Sequence, residues 1–149
     1  MISALGLDVG DRRIGVAGCD ATGLVATPLA TITRSEWSID VQTIRGWIRE
    51  RRAETVVIGL PRNMNGSIGP QALRVQKFGE RLALDLEMPI DYVDERLSTV
   101  QAERSLRSSN ISSSKRRSLI DQQAAAVILQ QWLDTRRQQS VRTFQEFSE

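Results

Sequence analysis

The sequence predicts a mixed α/β fold, in which a five-stranded sheet is flanked by helices. Two observations lead to this prediction. The chain opens with three short β patterns separated by turn residues, an arrangement typical of an antiparallel meander. After residue 36, amphipathic helical patterns alternate with short apolar strand patterns. That alternation favours parallel strands with helices packed on the faces of the sheet.

Each predicted strand is a short apolar run bounded by turn residues. The second strand follows the turn at 10–12 closely enough to form a hairpin with the first. Pro28 in the third strand indicates an edge position or a bulge, because proline cannot donate a backbone hydrogen bond. Right-handed crossovers then place strands 1, 4 and 5 side by side and parallel. The predicted strands span residues 2–9, 13–19, 24–33, 55–60 and 89–94.

Apolar residues at helical spacing predict the helices between and after these strands. The first covers 36–51, and the second is marked by Ala72, Val75, Phe78 and Leu82, with Pro70 near its first turn. Further helices are predicted at 98–107 and 119–135, joined by a polar, serine-rich mobile loop at 108–117. Residues 1–135 are therefore expected to form one domain, and residues 136–149 a loose polar tail.

Composition limits the chemistry that this chain can perform. The chain has 149 residues, 26% of them charged, with a net charge of +2, as expected of one globular domain. No apolar run approaches the roughly 20 residues of a membrane span, and the start lacks the pattern of a signal peptide. The single cysteine, Cys19, is expected to be a buried strand residue. These three features together predict a cytoplasmic protein without membrane contact. The absence of histidine excludes Ser-His-Asp and Cys-His chemistry and histidine metal sites.

Acidic residues fall where a ligand site is expected in such a sheet, beyond the carboxyl ends of the parallel strands. Asp8 lies at the end of strand 1, on the face that alternation gives to alanine and glycine rather than to the leucines. Asp94 and Glu95 end strand 5 and point to opposite faces, so only one of them can join Asp8. Asp121 lies in the first turn of the last predicted helix.

Three converging carboxylates would form an oxygen-ligand site for one or two Mg²⁺ or Mn²⁺ ions. Two such ions can stabilise the attacking and leaving oxygens in phosphodiester hydrolysis. Structural interpretations remain open for each acid. Asp8 could belong to a simple turn, 94–95 to a solvated strand end, and 118–121 to a helix capping box with aspartate in place of glutamate.

Basic residues near these acids are candidates for binding nucleic-acid phosphates, with exposed surface positions as the alternative. The loop at 62–69 could likewise cradle a phosphate, or it could be a turn in which Ser67 caps the next helix. The triplet at 115–117 could clamp nucleic acid from the predicted mobile loop or form a solvated charge run. The basic candidates are Arg12, Arg13, Arg96, Lys115, Arg116 and Arg117.

Short motifs that span residues 4–133 resemble the YqgF/RuvX family, in the order in which that family carries them. Each motif alone is weak, but the ordered set is highly specific. The motifs are LGLDVG at 5–10, RIGVA at 13–17, VIGLP at 57–61, MNGS at 64–67, DERLST at 94–99 and IDQQAA at 120–125.

The resemblance implies a ribonuclease H-like fold and a metal-dependent nuclease that processes the 5′ end of pre-16S rRNA in ribosome biogenesis. Its partners would be this RNA and the immature small ribosomal subunit, and the protein would be a monomer or a homodimer. Carried over by position, the family's acids fall on Asp8, Glu95 and Asp121, which selects Glu95 over Asp94.

The family is also described as Holliday junction resolvase-like, so cleavage of branched DNA is an alternative. RuvC-type sites usually add a fourth metal-side residue three positions after the last aspartate, but Ala124 stands there in this chain. This departure weakens the resolvase interpretation and predicts looser binding of a second metal.

Two further interpretations remain. Nucleotide binding, by likeness of 8–10 to the phosphate loop of actin-like ATPases, would need a duplicated second domain that this chain lacks. A non-catalytic RNA-binding module is disfavoured by the retention of all three acids.

Overall fold

A computed structural model of the chain describes residues 3–95 and 113–148, with side chains described for 3–95 and 115–139. Within these ranges, three strands are followed by alternating helices and strands, as the sequence predicts. In chain order the elements are β1 (Ala4–Val9), β2 (Arg13–Cys19), β3 (Ala26–Thr33), α1 (Trp37–Arg51), β4 (Thr55–Leu60), α2 (Pro70–Leu86), β5 (Ile90–Asp94) and α3 (Ser113–Ser148).

The strands form one mixed sheet in the order β3-β2-β1-β4-β5. β1 lies at its centre, antiparallel to β2 and parallel to β4, and β5 adds to β4 in parallel. This arrangement confirms the predicted meander and the parallel placement of strands 1, 4 and 5. β3 is an edge strand, and its register with β2 shifts next to Ala17, the partner of Pro28, as the proline predicted.

Helices cover both faces of the sheet. Strand side chains alternate between the two faces, so apolar residues on each face pack against helices. Leu5, Leu7 and Val9 point into the larger core, which includes buried residues of α1 and α2. Ala4 belongs to a second, smaller cluster of buried residues, which includes buried side chains of α3. Alternation along β1 therefore places Asp8 on the α3 side of the sheet.

Cys19 belongs to the second cluster and is only 6% exposed, as predicted. Its thiol donates a hydrogen bond to the carbonyl oxygen of Ala4. Burial raises the pKa of this thiol, although the hydrogen bond lowers it in part. The protonated, unreactive form is therefore favoured at neutral pH.

Helix α3 corrects the predicted ends of the last helix. It begins at Ser113, so residues 115–117 are helical rather than part of a loop, and it continues to Ser148 through the predicted tail. Lysine, arginine and glutamine are good helix formers, so a polar composition does not require a loop. Pairs three or four residues apart support the polar part, since Asp134 accepts hydrogen bonds from Gln130 and Arg137.

The predicted helix at 98–107 and the first part of the predicted loop, at 108–112, lie outside the described residues. Across the ranges that are described, no helix is long and apolar enough to cross a membrane.

Candidate active site

A hairpin brings Asp8 to the edge of the sheet where β1 ends. The turn between β1 and β2 is closed by a hydrogen bond of 2.9 Å from the Gly10 amide to the Arg13 carbonyl. In the resulting register Asp8 lies opposite Gly15. Because glycine has no side chain, the space beside Asp8 on the α3 face stays open to another chain segment.

Glu95 reaches Asp8 from the end of β5. Parallel pairing sets Leu60 opposite Asp94, and the Glu95 amide then donates to the Leu60 carbonyl at 3.3 Å. The Glu95 side chain is only 8% exposed, and its carboxyl group is hydrogen-bonded to that of Asp8. Asp94 is exposed. The structure therefore brings Glu95, and not Asp94, to Asp8.

Burial raises the pKa of the Asp8 carboxyl group above its ordinary value of 3.8. The hydrogen bond with Glu95 lowers this pKa in part, whereas the nearby charge of Asp121 raises it further. A hydrogen bond between two carboxyl groups needs a proton on one of them. Half-buried Asp8 and buried Glu95 can therefore lie this close only with a proton on one of them or with another positive charge beside them.

Asp121 approaches the pair from α3, and its charge acts on Asp8. It lies well inside the helix rather than in its first turn, because α3 already begins at Ser113. The capping-box interpretation of 118–121 is therefore wrong. The Asp121 Oδ2 atom accepts a hydrogen bond of 2.6 Å from Arg13 Nε, with side chains 17% and 36% exposed. Arg13, predicted as a phosphate ligand, instead pairs with Asp121 in this structure.

Two strand glycines let the other acids come this close to the sheet. A Cβ atom added at Gly15 would collide with the backbone carbonyl group of Asp121. A Cβ atom at Gly59 would lie 2.6 Å from Glu95 Oε2 and would also collide with the Ile128 side chain. Sequence reasoning gave these glycines no role. The signal was nevertheless present, since a glycine inside a strand often marks a close approach of another segment.

The carboxylate oxygens at this edge are the ligands that Mg²⁺ and Mn²⁺ prefer. Within 3–95 and 113–148, however, no group of three or more acidic or cysteine side chains is arranged to hold a metal ion. One Asp121 oxygen is instead occupied by the Arg13 guanidinium group. The donor type therefore suits a divalent cation, but in this structure only Asp8 and Glu95 are paired, while Asp121 is held by Arg13.

Further basic side chains lie near the acids along the chain, in the hairpin turn and in α3. Arg12 is exposed in the hairpin turn, and Lys115 and Arg117 are exposed near the start of α3, where Arg116 is half-buried. At 1.5 Å per residue, Lys115 lies about 9 Å along the helix from Asp121. The predicted candidate Arg96 lies outside the described residues.

The loop after β4 differs from its predicted structural interpretation. Gly69, and not Ser67, precedes the first residue of α2, and no side chain caps that helix. Ser67 instead donates to Asn65 Oδ1 at 2.6 Å and accepts from Asn63 Nδ2 at 3.0 Å. The loop is therefore held together by its own side chains.

Comparison with known proteins gives a family match and similar relatives for nearly the whole chain. Residues 2–135 match the family model described as "RuvX: Holliday junction resolvase". A Gloeobacter violaceus protein named "Putative pre-16S rRNA nuclease" is 65% identical over 137 residues, which cover 92% of this chain and 86% of that protein. A Trichormus variabilis protein of the same name is 56% identical, with 91% of this chain and 90% of that protein covered.

Solved structures support the fold alone. Thermus thermophilus RuvC superimposes with a TM-score of 0.53 at 14% identity, covering 91% of this chain and 96% of RuvC. RuvC from T. thermophilus in complex with a Holliday junction substrate gives a TM-score of 0.52 at 15% identity, covering 92% of this chain and 96% of that chain. The predicted ribonuclease H-like architecture is confirmed at this level.

Proposed function

Because the chain belongs to the RuvX family, we propose that it is a metal-dependent endonuclease that hydrolyses RNA phosphodiesters and processes pre-16S rRNA. Its nuclease activity follows from the family, and the RNA substrate is taken from the names of the relatives. One observation carries the metal dependence. Half-buried Asp8 and buried Glu95 are hydrogen-bonded acids beside Asp121, and a divalent cation in place of a proton would stabilise such a pair.

In this proposal Asp8, Glu95 and Asp121 hold the divalent ion, which would neutralise charge on the attacking and leaving oxygens during hydrolysis. The protein residues orient and bind. Arg13 holds Asp121 in place through its 2.6 Å bond. Arg12, Lys115 and Arg117 are exposed cations near the acids along the chain and would bind backbone phosphates of the RNA. We place the protein in the cytoplasm, where its free, buried Cys19 stays reduced.

Cleavage of branched DNA is the second candidate, because the family description names a Holliday junction resolvase. Against it stands Ala124, which is fully buried and offers no oxygen three positions after Asp121. The immature small ribosomal subunit remains the proposed assembly on which the RNA is presented, because pre-16S rRNA is the RNA in the relatives' names and is a precursor of that subunit's RNA. The proposed site would hold one or two Mg²⁺ or Mn²⁺ ions.

The proposal is tested by cleavage of a pre-16S RNA fragment in Mg²⁺ or Mn²⁺, with a four-way DNA junction offered in parallel. Asp8→Asn and Glu95→Gln should each reduce cleavage at least 100-fold, because each removes a carboxylate ligand. Asp94→Asn is the matched control, since it changes the neighbouring exposed acid, and it should cleave like the unmodified protein. Full activity of Asp8→Asn, or activity that survives EDTA, would contradict the proposal. Selective cutting of the junction would instead reverse the order of the two substrates.

A further inference from the structure

A cavity of about 640 Å³ opens beside Glu95, between the loop after β4 and the start of α2. A volume of this size accommodates a nucleotide-sized ligand. Its lining includes Glu95, one of the proposed metal-binding acids, and the polar side chains Arg62, Asn63, Gln71 and Arg74. The cavity is therefore continuous with the proposed active site.

Two guanidinium groups on the cavity wall can be redirected to a ligand. Arg74 Nε contacts Asp11 Oδ1 at 3.3 Å, but the two side chains are 56% and 74% exposed. An ion pair this exposed contributes little to stability, so a phosphate can replace the carboxylate. Arg62 Nη1 reaches the Gly66 carbonyl only at 3.5 Å, a long and weak contact.

The loop that carries Arg62 is already ordered by its own hydrogen bonds. The Asn63 amide donates to the Ser67 carbonyl at 3.0 Å, and the Gly66 amide donates to the Asn63 carbonyl at 2.8 Å. The Asn63 side chain also lies against Gly69, where an added Cβ would be 3.1 Å from Oδ1. A pre-formed loop loses little conformational entropy when a ligand binds, which favours a binding role over a passive connection.

We infer that this cavity binds the backbone phosphate next to the one that is cut, with Arg62 and Arg74 as its ligands. The inference rests on the proposed function, since a strand whose scissile phosphate lies at Glu95 must continue past the active site. Arginine suits this role because its planar fork pairs with two phosphate oxygens at once. The site would read the charge of a single strand, without regard to its base sequence.

The test measures binding of a fluorescent single-stranded RNA fragment of the 16S precursor by anisotropy, with EDTA present to prevent cutting. Arg62→Ala and Arg74→Ala should each weaken binding about fivefold at 0.1 M salt, because one phosphate contact to a single strand contributes a salt slope of about 0.7. The double variant should lower the slope of log affinity against log salt by about 1.4. In cleavage assays the double variant should raise KM and keep kcat.

Two controls make the result specific. Arg49→Ala removes an exposed arginine near the end of α1, which leads into the opposite end of β4, and it should bind RNA normally. Asp11→Asn breaks the ion pair but keeps Arg74, so it should retain RNA affinity, whereas a merely structural role of the pair predicts a loss. Equal melting temperatures would show that the variants are folded.

The outcomes separate this inference from the proposed function. If the double variant matches Arg49→Ala in affinity and salt slope while the unmodified protein cuts RNA, the phosphate site is wrong and the nuclease stands. If the double variant loses affinity while the unmodified protein cuts no RNA, the cavity binds an RNA phosphate and the proposed nuclease function is wrong. Loss of affinity in Asp11→Asn equal to that of Arg74→Ala would also overturn the assignment.

Discussion

The raised pKa of Asp8 has a consequence for stability in the absence of metal. Folding favours the protonated carboxyl group, so the folded state binds more protons than the unfolded state at pH values between 3.8 and the raised pKa. Stability is therefore gained as the pH falls toward 3.8 and lost as the pH rises through the raised pKa. An ionised Asp8 beside Glu95 and Asp121 destabilises the apoprotein at neutral pH.

We therefore expect Asp8→Asn to melt at a higher temperature than the unmodified protein at pH 7.5 in EDTA. Asparagine carries no charge and can still hydrogen-bond Glu95. The difference should shrink as the pH is lowered toward 4, where Asp8 itself is protonated. Differential scanning calorimetry across this pH range measures both effects. A lower melting temperature of Asp8→Asn at pH 7.5 would contradict the assigned environment.

At this scale the sequence predicted positions better than partners. Strand alternation placed Asp8 on the α3 side of β1, but left Asp94 and Glu95 as alternatives until the family resemblance selected Glu95. The ion pair between Arg13 and Asp121 could not be predicted, because it joins residues 108 positions apart and depends on how α3 lies across the sheet. Arg74 carried no signal either, since its position beside the cavity follows from tertiary structure alone.

At the scale of the elements, Gly15 controls how close α3 lies to the sheet. A side chain at this position would meet the backbone of Asp121, and a backbone cannot move aside by changing rotamer. Gly15→Ala should therefore reduce the free energy of unfolding by about 1–3 kcal/mol, the usual cost of overpacking. Because the displaced helix carries Asp121, RNA cleavage should fall as well. Urea unfolding monitored by circular dichroism measures the stability.

Gly46→Ala is the matched control for that experiment. Gly46 lies inside α1, and an added Cβ there meets nothing within 4 Å. Alanine should stabilise this helix by about 0.5–1 kcal/mol, since glycine loses more backbone entropy on folding. If Gly15→Ala were as stable as Gly46→Ala, the close approach of α3 would not be a constraint on this position.

Apolar spacing predicted where strands and helices occur, but not where α3 ends. Its central part carries buried residues such as Ile128 and Trp132 at helical spacing, so the core-facing segment was recognised. Its ends have few apolar residues, and there the helix depends on polar side-chain pairs such as that between Asp134 and Arg137. Periodicity reports only the part of a helix that faces a core, so it underestimates a helix that extends beyond its core.

At the scale of the whole molecule, metal binding should stabilise the folded protein. An ion that binds only the folded state raises the free energy of unfolding by about 2.7 kcal/mol at 100 times its Kd. Millimolar Mn²⁺ should therefore raise the melting temperature of the unmodified protein and of Asp94→Asn. Asp8→Asn and Glu95→Gln should show little or no rise. An equal rise in all four proteins, measured by scanning fluorimetry, would place the ion elsewhere.

The central position of β1 has a consequence for how the protein is made. β1 is translated before α3, yet among the described elements α3 alone covers one of its faces. Domains fold as cooperative units, so a nascent chain without α3 would expose that face. Such a chain would also lack Asp121, so the complete set of proposed metal ligands would not form before α3 docks. Docking of α3 would then be the step that completes both the fold and the proposed catalytic centre.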